Sequence, residues 1–159
     1  MKLGKAGKFF VELVIYVVII GGIVWGVPRF LSWYLQTPYP MAAITSGSMW
    51  PLLHEGDMVF IRGNIKKEDV KVGDVIIWRA AENELGFIIH RVVAVREKDF
   101  VTKGDANFTD DPPVTYDRII GRAVTFKSGK LMHVPWLGSL TTLAGKFRQW
   151  VGVKSYIRG

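Results

Sequence analysis

A small set of residues in this 159-residue chain could do chemistry: a hydroxyl in a flexible turn, three imidazoles and a short acidic cluster. Ser48 sits in Thr45-Ser46-Gly47-Ser48-Met49-Trp50-Pro51. Gly47 tolerates the sharp turn and close approach that an exposed nucleophile needs, and Pro51 stiffens the exit. Ser-Gly-Ser is also common in ordinary turns, so the stretch gains meaning only from its partners. A serine hydroxyl is a poor nucleophile at neutral pH and requires an adjacent base. His54, beside Glu55 in a Leu-rich loop, reads as a solvated loop residue, and His133, after a Gly-Lys turn, reads as superficial. His90 lies in residues 87–95, where Ile88, His90, Val92 and Ala94 share one strand face. A titratable ring on that apolar face is either a core histidine satisfied by hydrogen bonds or a base with a partner. A base must also be held in one tautomer, which a carboxylate on its second nitrogen achieves. Asp105, Asp110 and Asp111 are the candidates, although an Asp-rich turn before Pro112-Pro113 accounts for at least one of them.

The elements that must position these groups are β-like. Residues 58–62, 75–78, 87–95, 100–102 and 119–126 are rich in Val, Ile, Phe and Trp and are separated by turn signals. Glu97-Lys98-Asp99 can fold 87–95 back onto 100–102 as a hairpin, bringing the acidic loop toward one end of the His90 strand. The expected fold is mainly β: a small antiparallel domain, barrel-like or of folded-over sheets, with an N-terminal transmembrane helix and a C-terminal amphipathic helix. The expected organisation is 1–35 as tail and anchor, 36–135 as the β-rich domain and 136–159 as amphipathic helix and basic tail. In the last segment Trp136, Leu140, Leu143, Phe147 and Trp150 recur at helical spacing, fitting either the sheet core or lipid.

Residues 9–27 are apolar except for Glu12, just long enough to cross a bilayer. Pro28 is placed to kink the exit or end the helix. Lys2, Lys5 and Lys8 predict a cytoplasmic N-terminus, and hence a domain outside the cytoplasm. A cleaved leader would have a shorter apolar region with a small-x-small site close behind; Val27-Pro28-Arg29 is a poor one, so a retained anchor is expected. Residues 36–43, with Pro38 and Pro40, read as a short tether that keeps Ser48 near the membrane.

The absence of Cys excludes disulfides, a thiol nucleophile and Cys-based metal sites. A hydrophobic content of 49% is high for a soluble domain. The net charge of +7 is concentrated at the two ends beside apolar segments, a pattern suited to anionic lipid rather than nucleic acid. Neither metal-ligand spacing nor a phosphate loop is present, so no metal and no cofactor are expected.

Three boxes in order resemble one family, the type I signal peptidases. Ser46-Gly47-Ser48-Met49-Trp50-Pro51 is similar to their nucleophile box, and Ile89-His90-Arg91-Val92-Val93 to their general-base box. Thr102-Lys103-Gly104-Asp105-Ala106-Asn107, followed by Asp110-Asp111, is similar to their acidic box. The bacterial branch carries Lys where this chain has His90, so the resemblance is to the archaeal and endoplasmic-reticulum branch. It covers roughly residues 9 to 140.

The resemblance implies a membrane-anchored serine endopeptidase in the plasma membrane or endoplasmic reticulum that removes signal peptides from exported pre-proteins. Ser48 would be the nucleophile and His90 the general base. Asp111, six residues beyond Asp105, would orient His90, with Asp105 in support. The Ser48 N–H and the Ser46 hydroxyl would stabilise the oxyanion. An extended substrate could pair with the edge around residues 41–45, with shallow pockets enforcing small side chains before the cut. Membrane lipid and pre-proteins are the expected partners, nucleic acid is not, and additional complex subunits are left open. The rival reading is a non-enzymatic, membrane-anchored β domain that binds a partner protein.

Overall fold

The computed structural model describes residues 4–80, 86–140 and 142–143. Helix α1 (Lys5–Gly21) passes through a π-helical turn, Gly22–Gly26, into helix α2 (Val27–Leu35). Pro28 therefore does not end the helical run. Proline removes a backbone donor and crowds the carbonyl one turn back, and the wider π turn before it gives that carbonyl room. The run stops where Gln36 turns left-handed at φ 54°. Gly7–Leu35 spans 29 residues, and its most apolar 18-residue window has a mean hydropathy of 2.4 with none of it buried. It is long and apolar enough to cross a membrane. At ~1.5 Å per residue it exceeds the ~30 Å hydrocarbon thickness, so tilt or entry into the headgroups would take up the excess.

The remainder is mainly antiparallel β. Strands β1 (Met41–Ala43), β2 (Met58–Arg62), β3 (Val75–Arg79), β4 (Phe87–Val95), β5 (Asp99–Lys103), β6 (Val114–Thr115), β7 (Ile119–Ala123) and β8 (His133–Val134) form one curved, half-barrel sheet. Their order is β1-β2-β7-β3-β4-β5-β6, with β8 also on β2. The strands expected at 58–62, 75–78, 87–95 and 100–102 are present, and the one expected over 119–126 stops at Ala123. Residues 36–43, expected as a tether, include a strand at Met41–Ala43, which pairs with Met58–Phe60.

Two apolar clusters pack against the sheet. Ile44, Met49 and Leu53 of the Ser48 loop pack with Val59, Ile61, Val75 and Ile77. On the other face Ile76, Trp78, Val92, Phe100 and Val114 pack together. Strand β3 supplies alternate residues to both, which is why 75–78 reads as a continuous apolar run rather than an alternating one. Residues 137–140 and 142–143 are helical, and the Ser139 N–H donates to Gly56 O at 3.1 Å. Most of the segment expected as a C-terminal amphipathic helix, 136–159, lies outside the described residues.

Candidate active site

The Ser48 turn is held from both sides. Met49 and Leu53 are fully buried in the first cluster and draw the loop onto the sheet, while Ser46 and Gly47 stay exposed. The Leu53 N–H donates to Met49 O at 2.9 Å, and Trp50 N–H to Gly47 O at 3.1 Å, closing the loop on itself. The Ser46 and Ser48 hydroxyls lie 3.2 Å apart.

His90 is opposite Ile76 on β3 and shares a face with buried Val92, as the two-residue period requires. It is itself 8% exposed. Its Nε2 lies 3.1 Å from Ser48 Oγ, and its Nδ1 lies 2.6 Å from Asp111 Oδ2. An ionised carboxylate can only accept, so it places the proton on Nδ1 and leaves Nε2 free to accept from the serine hydroxyl. Hydroxyl, imidazole and carboxylate thus stand in series, an order suited to nucleophilic acyl transfer.

The hairpin expected around Glu97-Lys98-Asp99 brings the acidic loop to this end of β4. The Arg96 N–H donates to Asp99 O, and Arg91 is opposite Lys103 where the β4–β5 pairing ends. The three aspartates then diverge. Asp111 faces His90. Asp105 accepts from Arg91 Nε at 2.8 Å and Nη2 at 2.7 Å, while Arg91 Nη1 donates to Gly73 O. These bonds to Asp105 raise the Arg91 guanidinium above its ordinary value; burial opposes the rise and the Asp105 charge adds to it. Asp110 is exposed, 3.9 Å from Lys103. Arg91 and Lys103 thus pair with two of the carboxylates, and the third is left to the imidazole.

His54 and His133 stand apart from this series. Both surround the buried Asp57, whose Oδ2 accepts the His54 backbone N–H at 3.0 Å and lies 3.2 Å from His133 Nδ1. The His54 side chain is largely exposed, as expected, whereas His133 is half-buried against that carboxylate. No pattern in the sequence marks a role for Arg91 or Thr102. Both lie inside the quoted boxes, but their partners are 14 and 9 residues away.

A groove of about 310 Å³ opens beside Ser48, lined by Ala43, Ile44 and Thr45, by residues 87–90 and by Asn107. The outer edge of β1 carries no strand partner among the described residues, and β4 pairs with β5 only from Arg91 onward. An extended peptide lying there would meet backbone edges on both sides. Among the described residues no group of three or more His, Asp or Glu is placed to hold a metal ion.

No family model matches the chain. Individual relatives do. The chain is 29% identical over 121 residues to the signal peptidase complex catalytic subunit SEC11C of Homo sapiens, covering 68% of this chain and 58% of the relative. It is 29% identical over 125 residues to the signal peptidase complex catalytic subunit sec11 of Sclerotinia sclerotiorum, covering 71% and 68%. The protein of the same description from Dictyostelium discoideum is 29% identical over 123 residues, covering 69% and 63%. The matched part thus spans little more than half the length of SEC11C. The resemblance to type I signal peptidases of the endoplasmic-reticulum branch is borne out by these relatives, all named as catalytic subunits.

Proposed function

We propose that this chain is a membrane-anchored serine endopeptidase that removes N-terminal signal peptides from exported pre-proteins. The observation that carries the reading is the hydrogen-bonded series from Ser48 Oγ through His90 to Asp111, in a chain whose relatives are named signal peptidase catalytic subunits. Ser48 attacks the scissile carbonyl as His90 Nε2 takes its proton. Asp111 holds the ring and stabilises the imidazolium, and His90 then returns the proton to the leaving amine. The Ser48 N–H and the Ser46 hydroxyl receive the developing oxyanion, and the 3.2 Å between the two hydroxyls supports this role for Ser46. Asp105 supports the site through Arg91.

The substrate is an extended segment in the groove beside Ser48. The apolar wall made by Ile44, Met49, Ile88 and Ile89 suits small apolar side chains ahead of the cut. The apolar helix ends at Leu35, 13 residues before Ser48, and β1 intervenes. The site therefore works near the membrane surface, where a pre-protein presents the end of its own apolar segment. Residues 1–35 anchor, 36–135 catalyse, and the basic N-terminus stays cytoplasmic with the catalytic domain on the other side. The relatives' description as subunits of a complex supports operation beside further subunits.

Incubating detergent-solubilised protein with a secretory pre-protein tests the reading. Wild type is expected to yield mature protein and Ser48→Ala none, with both equally folded. Near-normal cleavage by Ser48→Ala overturns the assignment.

A further inference from the structure

We propose that Thr102 is a positioning residue for the acid–base pair: its buried hydroxyl fixes the Asp111 carboxylate against His90. The proposal rests on the catalytic reading of Ser48, His90 and Asp111. Thr102 is opposite Val92 in the β4–β5 ladder, and cross-strand neighbours share a face. Val92 shares its face with His90, so Thr102 projects toward the imidazole's side of the sheet. It is fully buried.

Asp111 is bound to Thr102 at both ends. Its backbone N–H donates to Thr102 O at 2.8 Å, and its Oδ2 accepts from Thr102 Oγ1 at 2.6 Å. That oxygen is the one facing His90 Nδ1, also at 2.6 Å. Two donors converging on one oxygen fix the carboxylate's rotation as well as its position. Both groups facing Oδ2 are hydrogen-bond donors when the carboxylate accepts, the Thr102 hydroxyl and the His90 Nδ1–H.

A threonine needed only for packing would be replaceable by valine, which has nearly the same shape. A hydroxyl that shares the charge of Oδ2 is not replaceable in that way. Without it, the half-buried carboxylate can rotate, and it holds the protonated imidazole more tightly because its charge is no longer shared. The other nearby carboxylates, Asp105 on Arg91 and Asp110 near Lys103, have their own partners and are untouched by the change.

The test is kinetic and uses the full chain in detergent with a secretory pre-protein, comparing Thr102→Val, Thr102→Ser and Thr102→Ala across pH. Thr102→Val is expected to lower kcat about tenfold or more with KM little changed, and to move the acid limb of the profile to higher pH. Thr102→Ser is expected to stay within about threefold of wild type with the limb unmoved. If Thr102→Val does not fold, Thr102→Ala, which adds no bulk, must move the limb in the same direction. An unmoved limb in the folded variants, or equal losses in the Ser and Val variants, overturns the proposal. The His90 Nδ1 proton resonance reads the same contact without turnover. It should shift in Thr102→Val and stay in place in Thr102→Ser, whereas a resonance unaffected by valine overturns the role. If Ser48→Ala cleaves normally while that resonance still shifts, the catalytic reading fails and the Thr102–Asp111–His90 contact stands.

Discussion

The carbonyl of Ser48 accepts a hydrogen bond from the Ala106 N–H at 2.9 Å. The acidic loop is thereby tied to the backbone of Ser48, not only to His90. Gly104 allows the approach, since a Cβ there would come within 2.7 Å of Ser48 O and of the Asn107 amide nitrogen. Ser48 O is backbone and cannot swing aside, so Gly104→Ala must displace one loop from the other. A displacement of about 1 Å can cost on the order of 100-fold in a positioned site. Gly104→Ala is expected to lose about 10- to 100-fold in kcat while the domain stays folded, as cleavage kinetics beside circular-dichroism melting will show.

The three aspartates have different partners, His90 for Asp111, Arg91 for Asp105 and Lys103 for Asp110. Removing a carboxylate that sets a histidine's tautomer lowers turnover by up to about 10⁴-fold in serine proteases of the chymotrypsin type. Asp111→Asn is expected to cost about 100-fold or more, and Asp110→Asn, beside Lys103 at an exposed position, little. Single-variant kinetics decide between them. An inactive Asp110→Asn beside a near-normal Asp111→Asn would transfer the role to Asp110.

Arg91 serves three acceptor oxygens at once, both of Asp105 and the carbonyl of Gly73. A lysine cannot reproduce that fork. Because the pair is partly exposed, solvent screening limits its worth, and Arg91→Lys is expected to cost about 1 kcal/mol of stability. Denaturant melting measures it. A larger fall in kcat than in stability is also expected, since Asp105 adjoins the Ala106 N–H that meets Ser48.

Asn107-Phe108-Thr109 is a formal glycosylation sequon. Asn107 lines the groove with its amide nitrogen against Gly104, while Phe108 is almost wholly exposed. A glycan on Asn107 would sit over Ser48, so active protein is expected to carry none. Mass spectrometry showing full occupancy on an active preparation would contradict the placement of this loop at the groove.

Much of this was legible in the residues. The strands at 58–62, 75–79 and 87–95 are long enough to carry an apolar run or an alternation, and His90 stands out as a polar interruption of a buried face. β1, β6 and β8 were not legible, because two or three residues carry no period and each strand exists only through a distant partner, as Met41 does through Phe60. The helix's passage through Pro28 depends on the π turn before it, and no composition rule announces that turn. Counting residues reached Asp111 only with the family's help; its contact with Thr102 follows from ladder register, which a sequence does not display.

Ser48 and His90 are expected to act as one unit. Rates of pre-protein cleavage by wild type, Ser48→Ala, His90→Ala and the double variant test it in one experiment. Groups that act together are strongly non-additive, so each single variant is expected to lose about 10³-fold or more and the double variant no more than either. Losses that multiply in the double variant, or near-normal turnover in Ser48→Ala, would contradict the account.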